Sequence, residues 1–171
     1  MQFYKQTTSK SCQIIALQNA LSFYNMAFDF NQIERSLPKH SYGNNIFELG
    51  IYLNSIGIKT QIITNDDREI MIDDEQKLLM KEYLKFGLIT HRIAIESDIG
   101  VKPVIVNVNR RQIVNESGKE PYYVVAMKLD KFYILDGKSF DNIVEYDFQR
   151  LIDATTNINE FNQRGMWLQL K

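Results

Sequence analysis

Gln6-Thr7-Thr8-Ser9-Lys10-Ser11-Cys12-Gln13-Ile14-Ile15-Ala16-Leu17 is the stretch on which the fold turns. It sets a glutamine, a polar segment and the chain's single cysteine in front of an apolar run. Ile14, Leu17, Leu21 and Tyr24 recur every three or four residues, with Ile15 widening the stripe, so residues 12–25 read as a helix. Thr7, Thr8, Ser9 and Ser11 are candidate caps for its start. Cys12 then falls in or beside the first turn. A free cysteine is most often a small buried hydrophobe. Three features here point the other way. A helix start brings partial positive charge to the sulfur and favours the thiolate. The polar approach suggests an accessible thiol. Gln6 offers an amide able to donate to an oxyanion.

Beyond this helix, Asn31 to Leu37 reads as a short helix ending before Pro38. Asn45 followed by Glu48 is a variant of the capping box. Ile46, Leu49, Leu53 and Ile56 mark the apolar face behind it, and Gly57 is its natural stop. Ile58 to Thr64 reads as a strand, and residues 73–86 as a helix through Leu78, Leu79, Tyr83 and Leu84. Val101 to Val108 is almost continuously apolar, as a strand buried on both faces should be. Tyr122 to Leu129 and Phe132 to Leu135 read as strands joined by a turn at Asp130-Lys131. Val144 to Tyr146 adds a short strand, Phe148 to Ala154 a helix, and Gly165 to Leu170 a closing strand. Helices first and a meandering antiparallel sheet second make an α+β arrangement.

The chain has 171 residues, enough for one domain over residues 1–171 with a sizeable core. Apolar residues make up 44% and charged residues 24%, as in ordinary globular proteins. The net charge of −1 leaves no basic excess to neutralise phosphates, so nucleic acid is not an expected partner. The acidic pairs Asp66-Asp67 and Asp73-Asp74 read as solvated loops or helix starts. No run has signal-peptide character or the length of a membrane span, so a cytoplasmic protein is expected. One cysteine excludes an internal disulfide and a multi-cysteine zinc site. With only His40 and His91 besides, no metal and no cofactor is expected.

Gln6, five residues, then Cys12 opening a helix resembles the start of the double-glycine cysteine peptidases. These are papain-like domains that cut leader peptides from bacteriocin precursors and are often fused to export transporters. The family's pattern places a glycine after the cysteine, where this chain has Gln13. Further along, the family has a strand, then His-aromatic-Val-Val, a hairpin and Asp-Pro. This chain has Lys102-Pro103-Val104-Ile105-Val106, then Pro121-Tyr122-Tyr123-Val124-Val125, a hairpin from Lys128 to Tyr133, and Ile134-Leu135-Asp136-Gly137. Gly165-Met166-Trp167-Leu168 is similar to the family's final strand. The ordered series spans nearly the whole chain. It implies a papain-like fold, with N-terminal helices packed on a C-terminal antiparallel sheet. Residue by residue, it implies Gln6 as oxyanion donor, Cys12 as nucleophile and Asp136 as the group that orients the base. Tyr122 stands where the family has its histidine. A peptide or protein substrate such as a leader peptide is implied, with an export transporter as a candidate partner.

Tyrosine changes the chemistry. The histidine of a thiol peptidase takes the cysteine proton and returns one to the leaving amine. A neutral phenol has no basic nitrogen, and its ordinary pKa is about 10 against about 8.5 for cysteine. An ionised Tyr122 is opposed by a neighbouring Asp136. The expected function is therefore a peptidase-like protein that binds peptide without cutting it. The alternative is an active thiol peptidase or acyl-transfer enzyme that uses Cys12 with a non-standard base, for which His40 and His91 are the other candidates. A third reading is an interaction protein that inherited the fold. Each site residue also has an ordinary reading. Asp136-Gly137 is a turn signal. Tyr122 and Tyr123 can be strand residues, one facing the core and one facing out.

Overall fold

A computed structural model of the chain describes residues 3–6, 12–26, 29–37, 45–64, 74–138, 143–156 and 166–171. Thr7, Thr8, Ser9, Ser11, Pro38, His40, Asp66, Asp67, Asp73 and Gly165, singled out above, lie outside these residues. Helices α1 (Cys12–Ser22), α2 (Phe30–Ser36) and α3 (Ile46–Ser55) come first, then β1 (Thr60–Thr64), α4 (Asp74–Tyr83) and β2 (Leu88–His91). The second half holds β3 (Val104–Asn109), α5 (Arg110–Ile113), β4 (Pro121–Lys128), β5 (Phe132–Leu135), β6 (Ile143–Glu145), α6 (Phe148–Thr156) and β7 (Met166–Leu170). The class is α+β, as expected.

Local signals are realised closely in α3. Asn45 Oδ1 accepts from the Glu48 backbone N–H at 3.0 Å, and Glu48 Oε2 accepts from the Asn45 N–H at 2.8 Å. At the other end Gly57 has φ +87°, the Ile58 N–H reaches Leu53 O at 3.0 Å, and the Gly57 N–H reaches Asn54 O at 3.1 Å. That is the paired closure of a left-handed helix stop, which a side chain resists.

The seven strands run in the order β2-β1-β7-β3-β4-β5-β6. The last strand, β7, lies between β1 and β3 and is antiparallel to both. All pairings are antiparallel except β1 with β2, which is parallel. The wholly antiparallel expectation missed β2 and this pair. Both faces of the sheet centre are covered. Trp167 stacks with Phe148 of α6 at 6.2 Å, while its neighbour Leu168 lies against Gly50 of α3. Successive strand residues point to opposite faces, so α6 and α3 sit on opposite sides. This is why β3 and β7 are buried at every position and read as largely apolar runs, interrupted by Asn107 and Asn109 in β3 and Gln169 in β7.

Two expected faces differ from those found. Helix α4 turns Gln76 and Tyr83 inward, with Leu79 and Met80 partly covered, while Leu78 and Leu84 are exposed. The Tyr83 ring fixes this orientation by lying against Gly50 and Gly87, with its hydroxyl 3.0 Å from Thr60 Oγ1. Tyr122 and Tyr123 are both buried, because β4 is covered on both sides, rather than one inside and one out. No described helix is long and apolar enough to cross a membrane.

Candidate active site

Cys12 is the first residue of α1, and α1 packs on β4, the strand that carries Tyr122. The extended segment 3–6 is tied alongside. Asn19 of α1 accepts from the Tyr4 N–H at 2.8 Å and donates to Tyr4 O at 3.2 Å. The Gln6 N–H donates to Gly137 O at 2.9 Å, just past β5. The four residues named from the sequence, Gln6, Cys12, Tyr122 and Asp136, thus converge from four separate parts of the chain.

Gly137, next to Asp136, lies against Tyr122 and Gln6. A Cβ there would lie 2.8 Å from Ile15 Cγ2, 3.2 Å from Tyr122 Oη and 3.6 Å from Gln6 N. Only glycine admits this approach of the turn to α1 and to the phenol.

Tyr122 Oη donates to Gln6 Oε1 at 2.5 Å. Cys12 Sγ donates instead to Gln13 Oε1 at 3.2 Å. Sulfur and phenol therefore have different partners. Burial pushes the Cys12 thiol up; backbone hydrogen bonds at Tyr123 and Gln13 and the Lys138 ammonium oppose this without reversing it. The Gln13 carbonyl accepts the thiol proton and so favours the neutral form. Burial, then the negative charge of Asp136 and of Cys12 when ionised, push Tyr122 far above the ordinary phenol value. Tyr123, also buried, is pushed the same way. Cys12 is 8% exposed, so the accessible thiol expected from its polar approach is not found. Sequence neighbours say nothing of what packs over a residue from elsewhere, and here α1 is covered all round from Cys12 to Leu21.

Asp136 is buried and engaged at both oxygens. Oδ1 accepts from the Lys138 N–H at 2.9 Å, the turn that Asp-Gly predicts. Oδ2 accepts from Arg110 Nε at 2.8 Å. Arg110 also lies 3.6 Å from a Glu120 carboxylate oxygen, and Glu120 pairs with Lys138 as well. The two cations flank the phenol ring, Arg110 at 5.8 Å and Lys138 at 5.3 Å from its centroid. Sequence reasoning missed Arg110, Lys138 and Glu120. They are ordinary surface-type residues in the sequence, and only the pairing of β4 with both β3 and β5 brings Arg110 to Asp136. It also passed over Gln13 as a contact of the sulfur, although the absent glycine marked that position.

His91 ends the edge strand β2 and is exposed. Four strand spacings separate β2 from β4 in the sheet order, roughly 19 Å at about 4.8 Å each. It is therefore no base for Cys12. Among the described residues no group of three or more histidine, cysteine and acidic side chains is placed to hold a metal ion. A cleft of about 430 Å³ opens elsewhere, between α2, α3 and α4, lined by residues including Leu37, Glu48, Tyr52 and Leu79.

By structure the chain is similar to the peptidase domain of Streptococcus ComA, a bi-functional ABC transporter involved in a quorum sensing pathway. The match has a TM-score of 0.58 and covers 98% of this chain and 95% of that one, at 14% sequence identity. The chain has the papain-like peptidase-domain fold. No family model matches its sequence, and no curated protein is significantly similar to it in sequence. What carries over at this identity is the backbone architecture. The chemistry has to be read from the side chains present.

Proposed function

We propose that this chain is a peptidase-like protein of the double-glycine, leader-processing type that binds a peptide without cutting it. The bond from Tyr122 Oη to Gln6 Oε1 carries this reading. A general base must take the thiol proton. The group in that place is a buried phenol whose own proton is committed to Gln6. The thiol is itself held towards its neutral form by burial. Among the described residues neither half of a thiolate–imidazolium pair has a counterpart. Loss of the base from such a unit costs on the order of a millionfold in turnover in one well-studied hydrolase.

Peptide binding is supported by the fold likeness and by the cleft between α2, α3 and α4. The ligand proposed is a double-glycine leader peptide, and the partner an export transporter, a proposal supported by the similar structure being a domain of an ABC transporter. The active-thiol reading has in its favour the backbone hydrogen bonds at Tyr123 and Gln13 and the Lys138 ammonium, which act against burial at Cys12. Burial outweighs them. A fluorescently labelled double-glycine leader peptide tests both readings. Saturable anisotropy with an intact peptide by mass spectrometry after prolonged incubation is expected. Cleavage after the double glycine that is abolished by Cys12→Ala establishes the active-thiol reading instead. Absence of any binding removes the peptide-binding half.

A further inference from the structure

We propose that Arg110 is a positioning residue: by holding the Asp136 carboxylate it withholds from position 122 the group that a base there needs, so that Tyr122 is one of two locks on the site. This rests on the non-cleaving reading above and extends it from one residue to a pair of elements.

The geometry is specific. Asp136 is 2% exposed, and both its carboxylate oxygens are taken, Oδ2 by Arg110 Nε at 2.8 Å and Oδ1 by the Lys138 N–H at 2.9 Å. An imidazole at position 122 must compete with a guanidinium for the Oδ2 lone pairs. That competition is unequal, because the guanidinium brings a full positive charge to the carboxylate as well as its N–H, where a neutral imidazole brings the N–H alone. The guanidinium acts a second time through its charge. It lies 5.8 Å from the ring centroid of Tyr122, with the Lys138 ammonium at 5.3 Å. Two cations stabilise a neutral aromatic ring. The same two cations oppose an imidazolium, the species a base becomes once it has taken the thiol proton. The surroundings are thus built for a neutral ring. The charged or titratable groups facing position 122 are Arg110 from α5, Asp136 and Lys138 after β5, Glu120 before β4 and Cys12 from α1. Tyr123 adjoins Cys12, with Glu48 of α3 beyond it.

The test is the rate of Cys12 alkylation by iodoacetamide from pH 5 to pH 10, read by mass spectrometry on the full chain. Tyr122→His alone is expected to leave the apparent thiol pKa within about half a unit of the unmodified protein. Tyr122→His with Arg110→Met is expected to lower it by about two units, into the range of base-paired cysteines. Because nucleophilicity falls as the pKa falls, the gain in alkylation at pH 7 is roughly fivefold to tenfold. Adding Asp136→Asn should abolish the gain, which a merely structural role for Arg110 does not predict. Arg110→Met leaves a buried carboxylate unpaired. Arg110→Gln, which keeps an N–H for Asp136 without the charge, is the second variant and should give about half the fall in pKa. A full shift from Tyr122→His alone overturns the role of Arg110 and leaves the non-cleaving reading standing. No shift in either double variant, with folding intact by circular dichroism, overturns it too. An apparent pKa below 7 in the unmodified protein overturns the non-cleaving reading instead.

Discussion

Replacing Tyr122 with phenylalanine removes one hydroxyl and leaves the ring. Tyr122 is 3% exposed, and its hydroxyl donates to Gln6 Oε1 at 2.5 Å. The cations Arg110 and Lys138 stay over the ring, since a phenyl face attracts them much as a phenol does. The change therefore isolates the hydrogen bond. A buried acceptor stripped of its donor costs about 1–3 kcal/mol. Gln6 is only half-buried, so water recovers part of this, and about 1–2 kcal/mol is the expected loss. For a chain of this size that is a fall in Tm of roughly 2–8 °C. Thermal unfolding by circular dichroism for Tyr122→Phe, Gln6→Ala and the double variant gives the coupling directly. About 0.5–1.5 kcal/mol of interaction is expected, since the two groups are in contact. If Tyr122→Phe is neutral or stabilising, or if the two losses simply add, the phenol is not a structural latch. The case for a site given over to structure then fails.

The unmodified Cys12 thiol should alkylate slowly at neutral pH, with an apparent pKa above the ordinary value of about 8.5; a value below that contradicts the burial found here. Gly137→Ala should cost about 1–3 kcal/mol by driving Ile15 and the Tyr122 hydroxyl out of place; an unchanged unfolding midpoint would show that the turn can shift freely. Burial raises the Asp98 carboxyl, but the two hydrogen bonds from Arg92, at 2.5 and 2.6 Å, the Ile95 N–H and the charges of Arg92 and Lys171 together outweigh it and hold the group below its usual range. Its contribution to stability is therefore present above about pH 4 and lost as pH falls through the lowered folded value. Asp98→Asn should flatten that limb of urea midpoint against pH, and an equally steep limb refutes the assignment.

Much of the fold was legible because its signals are local. The capping box at Asn45 and Glu48 and the stop at Gly57 involve residues within one turn of each other. The central strands announce themselves by being apolar on both faces. Strand β2 was not legible. Leu88-Ile89-Thr90-His91 is short, lies at the sheet edge and has no alternation that its exposure enforces. Its partner β1 is reached only across α4, so nothing in the local chain declares the parallel pairing. The inward face of α4 was misread for a related reason. Leu78 looks like a core residue, yet the space under α4 is filled by Tyr83, which Gly50 and Gly87 admit. Gln6, Cys12, Tyr122 and Asp136 were singled out through an ordered resemblance, and folding brings Tyr122 onto Gln6. Arg110, Lys138 and Glu120 were invisible, because their meaning lies in which carboxylate and which ring they face after folding.

The polar groups named here bond mainly to one another. The Cys12 thiol donates a hydrogen bond to the Gln13 side-chain carbonyl, the phenol donates one to Gln6, and the Asp136 carboxylate closes a turn and holds a guanidinium. A catalytic site works through interactions that are stronger in the transition state than in the resting state. Groups already well bonded at rest have less to gain when charge develops on a substrate, and breaking their bonds costs what the transition state would return. The same bonds add stability to the resting arrangement. On the proposed reading, Tyr122 in the place of a base is one part of a wider arrangement, in which the acceptor of the thiol hydrogen bond, the partner of the glutamine and the partner of the aspartate all favour the neutral, resting state. That is why a single substitution at position 122 should not be enough to reverse it.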